Sequence, residues 1–148
     1  MVDKGFDKKD IESAITLEIT AGVRKATLKI DFLVQFMGKI IMLIKFAPGS
    51  LVTRRLSTLA LSRLIRPYQL PIVVISNGED AEILDGNSGK IIATGIENLP
   101  DKESVKKEWP SFSFNEIQKN TFDQASRIAY AFEVDGACPC DSDVCIIE

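Results

Sequence analysis

The chain has 148 residues, a formal net charge of −3 and no histidine. A chain of this length typically forms one domain that buries roughly 70% of its unfolded surface. The weak negative charge excludes a global field that attracts nucleic acid or an anionic membrane, so any polyanion site has to be a local patch. The absence of histidine excludes Ser-His-Asp and Cys-His catalysis and histidine-based metal sites.

No segment of the sequence has the length and apolarity of a membrane span. The longest uninterrupted apolar run, residues 40–44, is far shorter than the roughly 18 residues of a membrane helix. No apolar signal sequence opens the chain. We therefore expect a cytoplasmic protein that makes no membrane contact.

The first third of the chain is predicted to be mainly β-structure. A short helix is predicted over residues 6–14, with Asp7 as its N-cap. Alternating and β-branched apolar residues then predict strands over residues 15–20, 26–36 and 39–46. Three consecutive antiparallel strands are the simplest arrangement of these segments.

An amphipathic helix is predicted next, over residues 51–66, with Ser50 as its N-cap and Pro67 at its end. At about 100° per residue, one face is apolar and the opposite edge is mostly basic. The apolar face contains Leu56, Ala60, Leu61 and Leu64, and the opposite edge contains Arg55, Ser62, Arg63 and Arg66.

The remaining segments predict a mixed sheet flanked by helices. Strands are predicted over residues 71–76, 81–84 and 91–94, and helices over residues 101–109 and 115–132, the last opened by a capping box of Asn115 and Gln118. The element order favours an α/β or α+β fold. We predict one domain over residues 1–135 and a cysteine-containing tail over residues 136–148.

Two charged residues, Asp31 and Lys45, lie within the apolar second and third strands. They form either a structural cross-strand ion pair or part of a nuclease site, in which carboxylates hold Mg²⁺ and a lysine activates water. A two-residue turn at Met37-Gly38 places Asp31 opposite Ile44, whereas a three-residue turn or a bulge would bring Asp31 and Lys45 to the same face.

Four short stretches, in this order, carry a resemblance to a known family: Lys4-Gly-Phe6, Lys29-Ile-Asp31, Ile44-Lys-Phe-Ala-Pro48 and Ser76-Asn-Gly78. On these stretches, residues 3–100 resemble the N-terminal nuclease domain of type I restriction enzyme R subunits, within the PD-(D/E)XK nuclease superfamily. The resemblance implies a restriction-endonuclease-like fold.

The resemblance also implies a site for Mg²⁺-dependent DNA hydrolysis. It assigns the family's metal-binding aspartate to Asp31 and its catalytic lysine to Lys45. The family's second acid falls at Leu43, and leucine cannot ligate Mg²⁺, so the resemblance implies a degenerate site. Glu18 on the neighbouring strand and Glu12 near the first helix are the candidate replacement ligands.

Two further segments are candidate binding sites. Pro48-Gly-Ser50 opens a helix with several arginines, which is an arrangement able to bind the phosphates of DNA. The residues of this candidate site are Ser50, Arg54, Arg55, Arg63 and Arg66. All three cysteines, Cys138, Cys140 and Cys145, lie in the tail, where they are candidate ligands for Zn²⁺ or an iron–sulfur cluster or form a reduced, metal-free segment.

These features predict a nuclease-fold protein with a degenerate active site that binds nucleic acid, a protein partner or a second copy of itself. One alternative is an active Mg²⁺-dependent DNA endonuclease that recruits another carboxylate beside Asp31. A second alternative is a thiol-based metal or redox sensor that acts through the cysteine tail.

Overall fold

The structure is a computed structural model that describes residues 4–21 and 23–133. It contains a six-stranded mixed sheet with the strands in sequence order. The strands are β1 Ile11–Ala21, β2 Arg24–Phe36, β3 Lys39–Phe46, β4 Ile72–Ser76, β5 Ala81–Asp85 and β6 Ile91–Thr94, and the helices are α1 Arg55–Ser62, α2 Lys102–Glu108 and α3 Lys119–Glu133. The predicted α+β fold is therefore confirmed.

The sheet combines two hairpin-connected parts. Strands β1, β2 and β3 are antiparallel, as are β4, β5 and β6, whereas β3 and β4 are parallel. A parallel pair needs a long crossover connection, and the segment that contains α1 supplies it. One face of the sheet carries α1 and α3, and the other carries α2.

Apolar side chains cover both faces of the sheet. On one face, Leu28, Leu33 and Leu43 pack with residues of α1 and α3, including Leu61 and Ala129. On the other face lie Phe6, Val34, Met42 and Val74 with Val105 of α2, bordered by an aromatic group of Phe36, Trp109, Phe112 and Phe114. This two-sided burial explains why residues 40–44 are continuously apolar.

A β-bulge sets the register between β2 and β3. The hairpin turn at Met37 and Gly38 has two residues, both with positive φ, but the pairing shifts between Val34 and Gln35, so that Phe32 lies opposite Ile44. Continuing this register by one residue places Asp31 across from Lys45. The prediction that Asp31 faces Ile44 is wrong, and the alternative that contains a bulge is confirmed.

Three local predictions differ from the structure. The predicted first helix is a 3-10 turn, Lys8–Asp10, and β1 already begins at Ile11 because its residues pair with β2. The α3 helix begins at Lys119, and the side chain of Asn115 donates to Asn87 Oδ1 at 3.4 Å instead of forming the predicted capping box.

The predicted basic helix is shorter than expected. A 3-10 turn, Val52–Arg54, precedes α1, and no side chain caps either element. Ser50 contributes its carbonyl oxygen, which accepts a bond from Thr53 Oγ1. Two residues also lie on other faces than predicted. Leu56, predicted for the apolar face, is 57% exposed. Ser62, predicted for the opposite edge, is buried and donates to Leu59 O.

The other predicted elements are present. The strands at residues 72–76, 81–85 and 91–94 match their predictions within one residue. Asp101 caps α2 by accepting a bond from Ser104 N at 2.7 Å, and this bond lowers the pKa of the Asp101 carboxyl. Within the described residues, no helix has the length and apolarity needed to cross a membrane.

Candidate functional site

Asp31 and Lys45 form a close pair just beyond the end of the ladder between β2 and β3. Lys45 Nζ lies 3.7 Å from Asp31 Oδ2 and donates to Lys29 O at 3.3 Å. Asp31 Oδ2 also accepts a bond from Phe46 N at 3.0 Å. The side chain of Lys45 is 15% exposed and that of Asp31 is 35% exposed. Both charges therefore already have protein partners within the sheet.

An irregularity in β1 lies across from Asp31. Ser13 pairs with Phe32 and Ile15 pairs with Ile30, which leaves Ala14 across from Asp31 without a ladder pair. Ala14 has a φ of 51°, a conformation that is uncommon outside glycine. The Asp31 carboxylate next to this irregularity bonds to the backbone of β3.

Leu43, the residue to which the family resemblance assigns the second acid, is fully buried. It lies opposite Leu33 on β2 and beside Val73 on β4, and its exposure is 0%. Residues two apart on a strand point to the same face, so Leu43 and Lys45 share a face. The leucine packs in the apolar cluster beneath α1 and α3, in surroundings that do not stabilise a carboxylate.

The candidate replacement acids lie at different distances from Asp31. Glu18 pairs with Thr27, four residues along β1 from Ala14, which corresponds to about 13 Å. Glu12 is closer to Asp31, because it pairs with Leu33, which is two residues from Asp31 on β2. Within residues 4–21 and 23–133, no group of three or more acidic or thiol side chains is arranged to hold a metal ion.

A sequence model of one family, the type I restriction enzyme R protein N terminus, matches residues 1–100. The chain belongs to this family. Membership confirms the resemblance and indicates a nuclease-like fold. Searches of the curated proteins and of the solved structures found no match.

The family's region contains a buried acid that the sequence analysis did not select. Glu82 on β5 is 8% exposed and accepts two bonds from Arg55, at 2.7 Å from Nε and 2.6 Å from Nη2. Ile75 lies between Lys45 and Glu82 in the strand pairing, so Glu82 is about 10 Å from Lys45 across two strand spacings. The sequence feature that could have identified Glu82 is its position as an acid between the apolar residues of β5.

The Arg55–Glu82 pair changes the predicted phosphate site. Hydrogen bonding to Glu82 raises the pKa of the Arg55 guanidinium, and the bidentate contact is the geometry that arginine also uses for phosphate. The bidentate contact that the Arg55 guanidinium could offer a phosphate is therefore already made to Glu82. Ser50 and Arg66 are exposed and Arg54 is partly buried, and Arg66 Nη1 donates to Ile65 O.

Arg63 lies at the C-terminal end of α1, the opposite end from Arg54 and Arg55. It lines a polar cleft with Gln69, Asn87 and Asn115, and it is partly buried. Desolvation lowers the pKa of the Arg63 guanidinium. The structure therefore distributes the predicted arginines over both ends of α1 rather than along one continuous edge.

An apolar groove lies on the face of the sheet opposite to the Asp31–Lys45 pair. Its volume is about 430 Å³ and its wall includes Ile44, Val74, Ser76 and Leu99. Two phenylalanines that neighbour the charged pair in sequence, Phe32 and Phe46, line it and are 42% and 46% exposed. The tail cysteines, Cys138, Cys140 and Cys145, and the predicted domain boundary at residue 135 lie outside the described residues.

Proposed function

We propose that this chain is a nuclease-fold domain that binds DNA without cleaving it. Leu43 carries the proposal, because it is fully buried at the position of the family's second metal-binding acid. The remaining acid, Asp31, already accepts a backbone bond and faces Lys45. A single carboxylate with these partners is a poor ligand set for Mg²⁺, which requires well-placed oxygen ligands.

A structural role accounts for the two charges that remain. Asp31 bonds to the backbone of β3, and Lys45 bonds to the backbone of β2 through Lys29 O. Together they connect the two strands beyond the point where the regular ladder ends at Phe32 and Ile44. Retention of Asp31 and Lys45 therefore does not require catalysis.

The basic residues around α1 are the proposed DNA contacts. The set consists of three arginines, Arg54, Arg63 and Arg66, together with the hydroxyl group of Ser50. Arg55 is excluded because its guanidinium donates two bonds to Glu82. Phosphate contacts of this kind give salt-dependent binding with little sequence preference. A local patch of this size is compatible with the slightly acidic net charge of the whole chain.

The proposal is tested by measuring cleavage and binding on the same preparation. Purified protein is incubated with supercoiled and linear DNA in Mg²⁺ or Mn²⁺, and binding to a labelled duplex is followed by fluorescence anisotropy. We expect salt-dependent binding and no cleavage above that of an Asp31→Ala/Lys45→Met control. Cleavage that is lost in this control would establish the active endonuclease instead.

A second candidate function is the binding of a protein partner in the apolar groove. Exposed phenylalanines beside a concave apolar surface are typical of protein interfaces. In the matching family the domain is described as the N terminus of an R protein, so the proposed occupant is a protein that supplies the remainder of such an enzyme. Phe46→Ser should abolish capture of this partner and leave DNA binding intact.

The third candidate function is that of a thiol-based metal or redox sensor, which we propose for the cysteine tail. The proposed ligands for Zn²⁺ or an iron–sulfur cluster are Cys138, Cys140 and Cys145. This proposal requires that the purified protein contain the metal. Elemental analysis of the wild type beside a Cys138→Ser/Cys140→Ser variant decides this point. Metal that disappears in the variant would establish the tail as a metal site.

A further inference from the structure

A polar cleft lies between the end of α1, the turn that follows β5 and the start of α3. Its volume is about 350 Å³, and its wall includes Arg63, Gln69, Asn87, Asn115 and Thr121. This volume is at the lower end of the range for small-molecule sites. Four of these five side chains are hydrogen-bonding groups without charge, and the fifth is a cation.

Arg63 provides a positive charge in this cleft that makes no ion pair with another described residue. It is partly buried, and among the described residues its guanidinium has no hydrogen-bond or ion-pair partner. Partial desolvation of a cation that makes no direct ion pair is unfavourable. An anion that entered the cleft would supply the missing partner, and a planar guanidinium is well suited to phosphate because it can form two parallel bonds.

The walls around Arg63 are held in place by the fold. Gln69 N donates to Asn115 O at 2.9 Å, and Ile117 N donates to Pro67 O at 2.9 Å. These two bonds attach the segment before α3 to the segment after α1. On the third side, Gly86 N donates to Pro71 O at 2.8 Å, and a side chain at residue 86 would collide with the carbonyl oxygen of Leu70.

The amides of the cleft keep hydrogen-bonding capacity for a ligand. Gln69 is buried, and both bonds of its Nε2 are used, to Ser62 Oγ at 3.0 Å and Leu70 O at 3.1 Å. Its Oε1 is left as an acceptor. The Asn115 amide donates to Asn87 Oδ1, which leaves Asn115 Oδ1 as an acceptor and Asn87 Nδ2 as a donor among the described residues. Paired donors and acceptors of this kind recognise the edges of nucleobases.

We infer that this cleft binds a nucleotide unit, with Arg63 contacting its phosphate and the amides of Asn87 and Asn115 contacting its base. The inference rests on the proposed DNA-binding function for the choice of phosphate over another anion. Glu116 also lines the cleft, but it is exposed, so solvent and salt screen its repulsion of the phosphate.

The phosphate has two sources, a free mononucleotide and a nucleotide within a DNA strand. Titration of the ¹⁵N-labelled full chain with the four deoxynucleoside monophosphates, and separately with a short single-stranded oligonucleotide, distinguishes them by NMR. Resonances of residues 63, 69, 87 and 115 should shift. Arg63→Gln should weaken this binding by about tenfold to a hundredfold, and Arg66→Gln, which changes the same charge outside the cleft, should weaken it by less than about threefold.

Each outcome decides the inference. Mononucleotide binding that depends on Arg63 supports the cleft as a site for the free ligand, and oligonucleotide binding alone with the same dependence supports the strand as the source. Glu116→Gln should strengthen either kind of binding. No shift with any ligand, or equal affinities of wild type and Arg63→Gln, would overturn the inference. Duplex binding that persists in Arg63→Gln would leave the proposed DNA-binding function standing.

Discussion

The Asp31–Lys45 pair and the Arg63 cleft are both charged regions, and they differ in what their charges already contact. Asp31 bonds to Phe46 N and faces Lys45, which bonds to Lys29 O. The Arg63 guanidinium has no polar partner within the described part of the chain and is partly desolvated. Charges with protein partners stabilise the fold, whereas an unpaired charge in a preformed cleft is available to a ligand.

The largest effect is expected from restoring the missing acid. Leu43→Glu places a carboxylate in the apolar cluster beneath α1 and α3, and should reduce the free energy of unfolding by roughly 4 kcal/mol. Leu43→Met, the matched control, should reduce it by less than about 1.5 kcal/mol. Urea denaturation measures both. A stable Leu43→Glu variant that cleaves DNA with Mg²⁺ would show that the charged pair still belongs to a usable active site.

A smaller effect is expected from separating Asp31 and Lys45. A double-mutant cycle with Asp31→Asn and Lys45→Met should give a coupling energy of about 1 kcal/mol, because the pair is close but partly exposed. Urea denaturation of the four proteins gives this value. A coupling energy near zero would contradict the structural role that we assign to the pair.

DNA affinity tests whether Arg55, which is paired with Glu82, contributes less to DNA binding than the exposed Arg66. Arg66→Gln should weaken duplex binding by about threefold and reduce the slope of log affinity against log salt by about one. The control Arg55→Gln/Glu82→Gln removes the satisfied pair without changing the net charge, and should leave the affinity unchanged. Equal losses in the two proteins, measured by fluorescence anisotropy, would argue that Arg55 contacts DNA despite Glu82.

The smallest effect is expected for the stability of Arg63→Gln without ligand. Because the guanidinium has no partner to lose in the described structure, the free energy of unfolding should stay within about 0.5 kcal/mol of wild type. Saturating nucleotide should raise the melting temperature of the wild type and not that of the variant. A large loss of stability in the variant would indicate that Arg63 has a structural role.

Much of the fold was predictable because local patterns and tertiary contacts agree. The strands at residues 26–36 and 72–76 are apolar and β-branched, and Asp101 precedes α2 as a capping residue. The register of β3 was not predictable, because residues 40–44 are apolar on both faces and carry no alternation that fixes the pairing. The bulge that brings Asp31 and Lys45 together is therefore visible only in three dimensions.

The sites depend even more on contacts between distant residues. Arg55 and Glu82 are 27 positions apart, so no local pattern indicates that the predicted phosphate-binding arginine is already paired. The Arg63 cleft requires three separate segments, and the backbone bonds from Gln69 to Asn115 and from Ile117 to Pro67 form it. By contrast, the proposal that the second acid is missing at Leu43 comes from the sequence, because the family resemblance assigns that acid to a single position.

The central claim, that the nuclease fold is retained without its metal chemistry, is tested most directly by metal binding. Wild type and Asp31→Ala are titrated with Mg²⁺ and with Mn²⁺ by isothermal calorimetry, in the presence of a DNA duplex. We expect no divalent-ion binding that depends on Asp31 in either titration. Binding in the wild type that disappears in Asp31→Ala, accompanied by cleavage of the duplex, would contradict the claim.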